Sequence, residues 1–136
     1  MEKENIRTKC VWTDSGPDDG LRILVTRFRG HGLTKGHYDL WLPSLGPSEE
    51  LLKGFLAGET PWTLFSRRYR EELWMDGAVD QRNHSSKNHG QKGLLRMLRF
   101  LSLREPVTLL CHCAEDTKQC HRFLLRQTLL SSKVTL

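Results

Sequence analysis

The segment from Pro106 to Cys111, PVTLLC, constrains the fold of this chain more than any other part of the sequence. It is a short run of mostly apolar residues without the alternation of a half-exposed strand. Such a run is typical of a strand buried on both faces, as in a parallel sheet. Residues 114–119 are predicted to form a loop, and Cys120 is predicted to open a final helix that runs to about Leu130. A buried strand followed by a loop and a helix indicates an α/β fold.

The other predicted elements support the same class. Ser48 is predicted as the N-cap of a first helix that Gly58 closes, and an aromatic stripe from Trp62 to Leu73 predicts packing along a second helix. The full set is strands at 6–12, 21–26 and 106–111, with helices at 49–57, 62–73, 91–103 and 120–130. A length of 136 residues fits one domain, with its core at about residues 6–130. The expectation is a single α/β domain with a partly parallel sheet flanked by helices, a Rossmann-like layering.

Composition predicts a cytoplasmic, basic protein. The charged N-terminus lacks the apolar region of a secretory signal, and no window reaches the roughly 18 apolar residues of a membrane span. Three of the four cysteines crowd between Cys111 and Cys120 rather than spreading out as a disulfide framework. The net charge of +5 favours anionic partners, either small molecules such as nucleotides or nucleic acid.

The cysteine cluster carries the candidate chemistry. Sites in open α/β sheets form beyond the carboxyl ends of strands, where Cys111 and Cys113 fall, and at the amino ends of helices, where Cys120 falls. A thiol at a helix N-terminus can have a lowered pKa. The predicted catalytic residues are therefore Cys120 as the thiolate, His121 as its acid-base partner, and Cys111.

Two other interpretations of the same cluster stay open. The thiols of Cys111, Cys113 and Cys120, with the imidazole of His121, could bind a metal, most plausibly zinc, although their spacing matches none of the common zinc patterns. The cysteines could also be small buried core residues, which is common for free thiols.

Basic residues predict where an anion would bind. Arg27 and His31 belong to a loop with two glycines that could cradle a phosphorylated or nucleotide-like ligand, with Arg122 completing the clamp. The alternative is a nucleic-acid-binding module. It would use four basic residues near and along the third helix, Lys87, Lys92, Arg96 and Arg99. Both sets of basic residues could also simply be solvent-exposed surface residues that bind no ligand.

The chain resembles the YeaO-like family, the domain-of-unknown-function family numbered 488, from about Ile6 to Leu130. The resemblance rests on the turn Asp19-Gly20, the segment 24–35, the two helical blocks, the strand ending at Cys111, and Cys120-His121-Arg122. The helical blocks match at Leu40-Trp41-Leu42, Pro47-Ser48, Leu51, Phe55, Trp62, Phe65, Tyr69, Glu72 and Leu73.

This sequence departs from the family's pattern in its first loop. The family's usual Asp before Arg27 is Thr26 here, its Trp-Pro is replaced around Arg29-Gly30, and its second Arg is His31. The resemblance implies an α/β fold in a bacterial or phage-like cytoplasmic protein, and it emphasises the cluster as a site. It implies no particular reaction.

Overall fold

The computed structural model of this chain describes residues 5–34, 36–75, 89–131, 133 and 134. Four strands and four α-helices follow one another along these residues. The strands are β1 (Ile6–Cys10), β2 (Leu21–Leu24), β3 (Leu40–Trp41) and β4 (Val107–Cys111). The helices are α1 (Glu49–Leu56), α2 (Trp62–Leu73), α3 (His89–Ser102) and α4 (His121–Leu130), and a 3-10 turn covers Pro43–Leu45.

The strands form one sheet in the order β1-β4-β2-β3, and every pairing in it is parallel. β4 lies between β1 and β2, with Val107 in register with both Ile6 and Leu21. All five residues of β4 are buried, because the strand has neighbours on both edges and packed side chains on both faces. The predicted α/β class is confirmed, and the sheet is wholly rather than partly parallel.

The helices all contribute to one cluster against the same face of the sheet. Phe65 and Tyr69 of α2, the predicted aromatic stripe, pack there with Leu95 of α3 and Leu125 of α4. The opposite face carries a smaller cluster in which loop residues cover the strands: Val11, Leu24, Leu33, Leu110 and the half-buried Tyr38. Alternate residues of β4 therefore point toward helices on one side and toward loops on the other.

Helix ends follow the local sequence signals. The Ser48 hydroxyl accepts a hydrogen bond from the Leu51 backbone N–H at 3.3 Å, which confirms it as the N-cap of α1. Gly58, just past the end of α1, has a φ of 77°, a conformation that glycine adopts at little cost. The N-cap residue of α2 is Pro61. Residues 76–88, between α2 and α3, lie outside the described residues.

Candidate functional site

The cysteine cluster lies at the carboxyl end of β4, where α4 begins. Cys111 ends the strand on the face covered by the helices, and Cys120 is the N-cap residue of α4, so the turn between them brings the two sulfur atoms to 2.9 Å. The backbone N–H of Cys113 donates to the Cys111 sulfur at 3.3 Å. The sulfur atoms of Cys111, Cys113 and Cys120 all lie within 4.8 Å of one another. Three thiols this close could hold one metal ion or share one negative charge.

Arg122 braces this cluster from inside the protein. Its side chain is only 1% exposed, and its Nη1 donates to the Cys111 sulfur at 3.3 Å and to the carbonyl of Cys113 at 3.2 Å. Its Nη2 donates to the carbonyls of Ala114 and Glu115 at 3.1 and 3.3 Å. The guanidinium therefore fixes the loop that follows β4 and places a positive charge beside the thiols.

His121 is held in one tautomer. Its Nε2 lies 2.6 Å from the backbone carbonyl of Val25, and because a carbonyl only accepts, Nε2 must carry the hydrogen. Nδ1 then presents a lone pair, 3.9 Å from the Cys120 sulfur. Burial lowers the pKa of His121 to about 4, although the hydrogen bond to Val25 opposes that change. The imidazole is accordingly neutral near pH 7.

The three thiols differ in their pKa shifts: the pKa of Cys113 is lowered, whereas those of Cys111 and Cys120 are raised. Hydrogen bonds from the Cys111 and Cys120 thiols, aided by the nearby charge of Arg122, lower the pKa of Cys113 to about 2. The same contacts raise the pKa of Cys111 to about 11 and that of Cys120 well above its ordinary value, and burial adds to both increases. The three thiols titrate as one coupled group, and the hydrogen bonds within it favour the thiolate form of Cys113. The thiolate predicted at Cys120 stays a prediction; the hydrogen bonds that Cys120 shares with Cys111 and Cys113, and then its burial, raise the pKa of this thiol.

A pocket of about 340 Å³ opens beside the cluster, beyond the carboxyl ends of β2 and β4. It is lined by Thr26, Arg27, Phe28, Gly30, Pro47, Leu52, Leu56, Cys111, His112, Cys113 and His121. Cys113 is half-buried, whereas Cys111 and Cys120 are buried. Cys113 is thus the most accessible thiol of the three.

The three residues predicted as an anion clamp are not gathered at this pocket. Arg27 lines it, and its Nε and Nη2 donate to the carbonyls of Pro47 and Gly46 at 3.2 and 2.9 Å. Arg122 lies behind the thiols, with its guanidinium engaged by carbonyl groups. His31 is exposed and is not among the residues that line the pocket.

The basic residues of the nucleic-acid alternative lie elsewhere. Lys92, Arg96 and Arg99 follow one another along a single face of α3, and none of the helix residues 91–102, whose side chains the structure describes, lines the pocket. Lys87 lies outside the described residues. The structure therefore separates the basic face of α3 from the thiol pocket.

His112 and Phe28 also line the pocket, although no sequence pattern marked them as site residues. His112 lines the pocket together with its flanking cysteines, because the pocket lies beyond the end of the sheet and so receives side chains from both faces. Its ring packs against Gly30, where an added Cβ would lie 2.7 Å from the His112 Cε1. Gly30 has a φ of 85°, and this glycine in the loop after β2 was the available signal for a close approach.

Glu115 connects the cluster to the neighbouring strand. Its carboxylate accepts hydrogen bonds from the backbone N–H of Cys10 and from the hydroxyl of Thr13, the latter at 2.9 Å. This ties the loop after β4 to the end of β1. The carboxylate thus holds the loop against the end of β1.

A parallel α/β sheet with a thiol cluster and a pocket at its carboxyl edge defines a protein with a candidate active site at the usual position for this architecture. The chain belongs to the DUF488 family, since the profile described as the Active DUF488-N3 subclade matches residues 6–133. The uncharacterized protein YeaO of Escherichia coli is 31% identical over 129 residues, covering 93% of this chain and 98% of the relative. The uncharacterized protein Rv3073c of Mycobacterium tuberculosis is 30% identical over 131 residues, covering 95% of this chain and 97% of the relative.

No solved structure matches the chain. Across the residues that the structure describes, none of the helices combines the length and the apolar character needed to cross a membrane.

Proposed function

We propose that this protein is a small enzyme in which the thiolate of Cys113 attacks an electrophilic centre of a ligand bound in the pocket. The observation that carries the proposal is the three-thiol cluster, whose most accessible sulfur opens onto the pocket beside His112. A reducing, cytoplasmic location belongs to the proposal, because the four cysteines are free thiols.

The cluster supplies the groups that such a reaction needs. Cys111 and Cys120 stabilise the thiolate by hydrogen bonding, and Arg122 supplies a fixed positive charge. The Cys113 sulfur forms a bond to the electrophilic carbon, and the leaving group departs with the bonding electrons and takes a proton from His112. Water then attacks the same carbon, gives its proton to His112 and releases the sulfur as thiolate.

His121 has a positioning role in this scheme. Its low pKa and its hydrogen bond to Val25 keep the ring neutral and fixed, with the Nδ1 lone pair 3.9 Å from the Cys120 sulfur, so the ring does not cycle protons near pH 7. The exposed His112 is the better proton donor because solvent and ligand both reach it.

An anionic ligand, such as a phosphorylated or nucleotide-like compound, remains part of the proposal. Its support is the positive charge of Arg27 in the pocket wall and the net charge of +5. Arg122 stabilises the thiolate and does not bind the ligand, since its Nη1 and Nη2 donate to carbonyls of the loop after β4.

Alkylation with iodoacetamide tests the nucleophile. The labelled cysteines are mapped by mass spectrometry, and the rate at each is followed from pH 5 to pH 9. Cys113 should label fastest, with a rate that is nearly independent of pH because the thiolate is already formed. Cys113→Ser should abolish this reaction, whereas Cys10→Ser, at a buried thiol outside the cluster, should leave it unchanged. A Cys113 rate that rises about tenfold per pH unit up to pH 8, as for an ordinary thiol, would contradict the proposal.

A metal centre is the second candidate, favoured by the geometry of the cluster. Cys111, Cys113 and Cys120 offer three sulfur ligands, and Nδ1 of His121 faces Cys120 while Nε2 donates to a backbone carbonyl. A histidine that binds a metal commonly has this second hydrogen bond. Zinc suits such a ligand set. Elemental analysis of the purified protein distinguishes the two candidates. About one zinc per chain, with Cys113 labelled only after chelation, favours the metal centre. A metal-free protein in which Cys113 labels fast favours the thiolate.

A further inference from the structure

We infer that the ligand of this pocket carries a compact apolar group, of the size of one ring, that packs between Phe28 and the α1 side chains Leu52 and Leu56. The inference rests on the proposed function, because Cys113 marks where the reacting carbon lies. It adds the chemical class of the substrate: a small acyl or aryl compound, bound by its apolar part and attacked at its polar end.

The walls of the pocket divide by chemistry. The end beside the sheet is formed by Cys111, Cys113 and His112, which can react with a ligand or hydrogen-bond to it. The sides that lead outward are formed by Phe28, Pro47, Leu52 and Leu56. A ligand that satisfies both ends is amphipathic, with its apolar group outward and its electrophilic group against the thiols.

Two of these apolar side chains are unusually exposed. Phe28 is 50% exposed and Leu56 is 74% exposed, and both line the same opening. Large apolar side chains that stay in contact with water do not contribute the free energy of burial. An apolar ligand group that covers them removes this surface from water, so its binding is favourable. The exposed pair therefore indicates the chemistry of what enters the pocket.

Hydrogen bonds hold the apolar wall in place before a ligand arrives. The Thr26 hydroxyl donates to the carbonyl of Phe28, and the indole N–H of Trp41 donates to the carbonyl of Thr26 at 2.8 Å. Arg27 joins the same loop to the carbonyls of Gly46 and Pro47. A wall fixed in this way binds without the entropic cost of ordering a loop.

The volume limits the ligand to a small molecule. About 340 Å³ is near the lower end of the range for ligand pockets, which runs from roughly 300 to 1,000 Å³. One ring and a short polar head fill such a space, and Cys113 lies at its polar end. The rate at which Cys113 is alkylated by a reagent with a ring therefore reports whether the pocket binds a group of that size.

The test compares two alkylating agents that differ by one ring, iodoacetamide and iodoacetanilide. The ratio of their rate constants at Cys113 is measured on the full chain and divided by the same ratio for glutathione, which removes intrinsic reactivity. We expect this corrected ratio to exceed about 10, since burying most of a ring is worth more than the 1.4 kcal/mol that a factor of ten requires. Leu56→Ser and Phe28→Ser should each lower it several-fold.

Leu103→Ser is the matched control, because Leu103 is an exposed leucine that does not line the pocket and its replacement should leave the ratio unchanged. A corrected ratio near 1 with fast labelling of Cys113 would overturn the apolar substrate and leave the proposed function standing. A high corrected ratio that neither Leu56→Ser nor Phe28→Ser changes would also overturn the apolar substrate. A Cys113 rate that rises about tenfold per pH unit up to pH 8 with both reagents, as for an ordinary thiol, would remove the proposed function, and this inference with it.

Discussion

The thiol cluster and the outer face of α3 use basic residues in opposite ways. At the cluster, Arg122 is buried and its donors meet a sulfur atom and three backbone carbonyls. On α3, Arg96 is exposed beside Met97 and Phe100, which are 46% and 45% exposed. A count of charged residues treats the two arginines alike. Their surroundings make one a part of the folded interior and the other a part of the surface that partners can reach.

The largest effect should come from removing the buried guanidinium. Arg122→Ala leaves the carbonyls of Cys113, Ala114 and Glu115 without their donors, and we expect a loss of about 3 kcal/mol in the free energy of unfolding. Arg96→Ala on α3 should cost less than about 1 kcal/mol. Urea denaturation followed by circular dichroism measures both. Equal losses would contradict the distinction between a buried structural arginine and an exposed surface arginine.

Acid should weaken the cluster region through His121. The pKa of this imidazole is about 4 in the folded protein against 6.5 ordinarily, so the unfolded chain binds the proton first as the pH falls. Stability should therefore decline between about pH 7 and pH 4 and then level, with a loss on the order of 3 kcal/mol from this group. His121→Gln should flatten this part of the curve of unfolding free energy against pH. A matched change at the loop residue His37, His37→Gln, should preserve it, and an unchanged slope in His121→Gln would refute the assignment.

A smaller effect should follow from adding one methyl group beside the pocket. Gly30→Ala introduces a Cβ at a φ of 85° and against the His112 ring, and we expect about 2 kcal/mol of destabilisation. Gly58→Ala has a similar φ of 77° but no atom within 4 Å of the new Cβ, so it should cost only about 1 kcal/mol. Thermal unfolding of the pair separates contact from backbone strain. No difference between the two would show that His112 moves aside freely.

The smallest effect concerns the face of α3, where nucleic-acid binding remains a proposal. If Lys92, Arg96 and Arg99 contact phosphates, affinity for a double-stranded DNA probe should fall steeply with salt, and replacing all three by Ala should reduce the logarithmic salt slope by about three. Fluorescence anisotropy at several salt concentrations gives both values. Arg67→Ala on α2 serves as a control at an exposed arginine. Affinity that does not depend on salt would remove this proposal.

Local patterns were sufficient for most of the elements. The uninterrupted apolar run of β4 predicted a strand buried on both faces, and the cap at Ser48 and the glycine at Gly58 predicted the ends of α1 closely. These signals depend on neighbours a few residues away, so no tertiary information is needed. β2 ends at Leu24 rather than at Thr26, because the chain turns where the Thr26 hydroxyl bonds to the carbonyl of Phe28.

The sequence by itself determined the α/β class, the family resemblance and the proximity of Cys111 to Cys120-His121-Arg122, since a strand, a short loop and a helix place their adjoining ends together. Only the tertiary structure decided the roles that these residues can take. The carbonyl of Val25, which directly follows β2, sets the tautomer of His121. Burial of the Arg122 guanidinium places its charge beside the thiols. The pKa of Cys113 is lowered by hydrogen bonds from Cys111 and Cys120, because the folded turn between β4 and α4 brings the three sulfur atoms together.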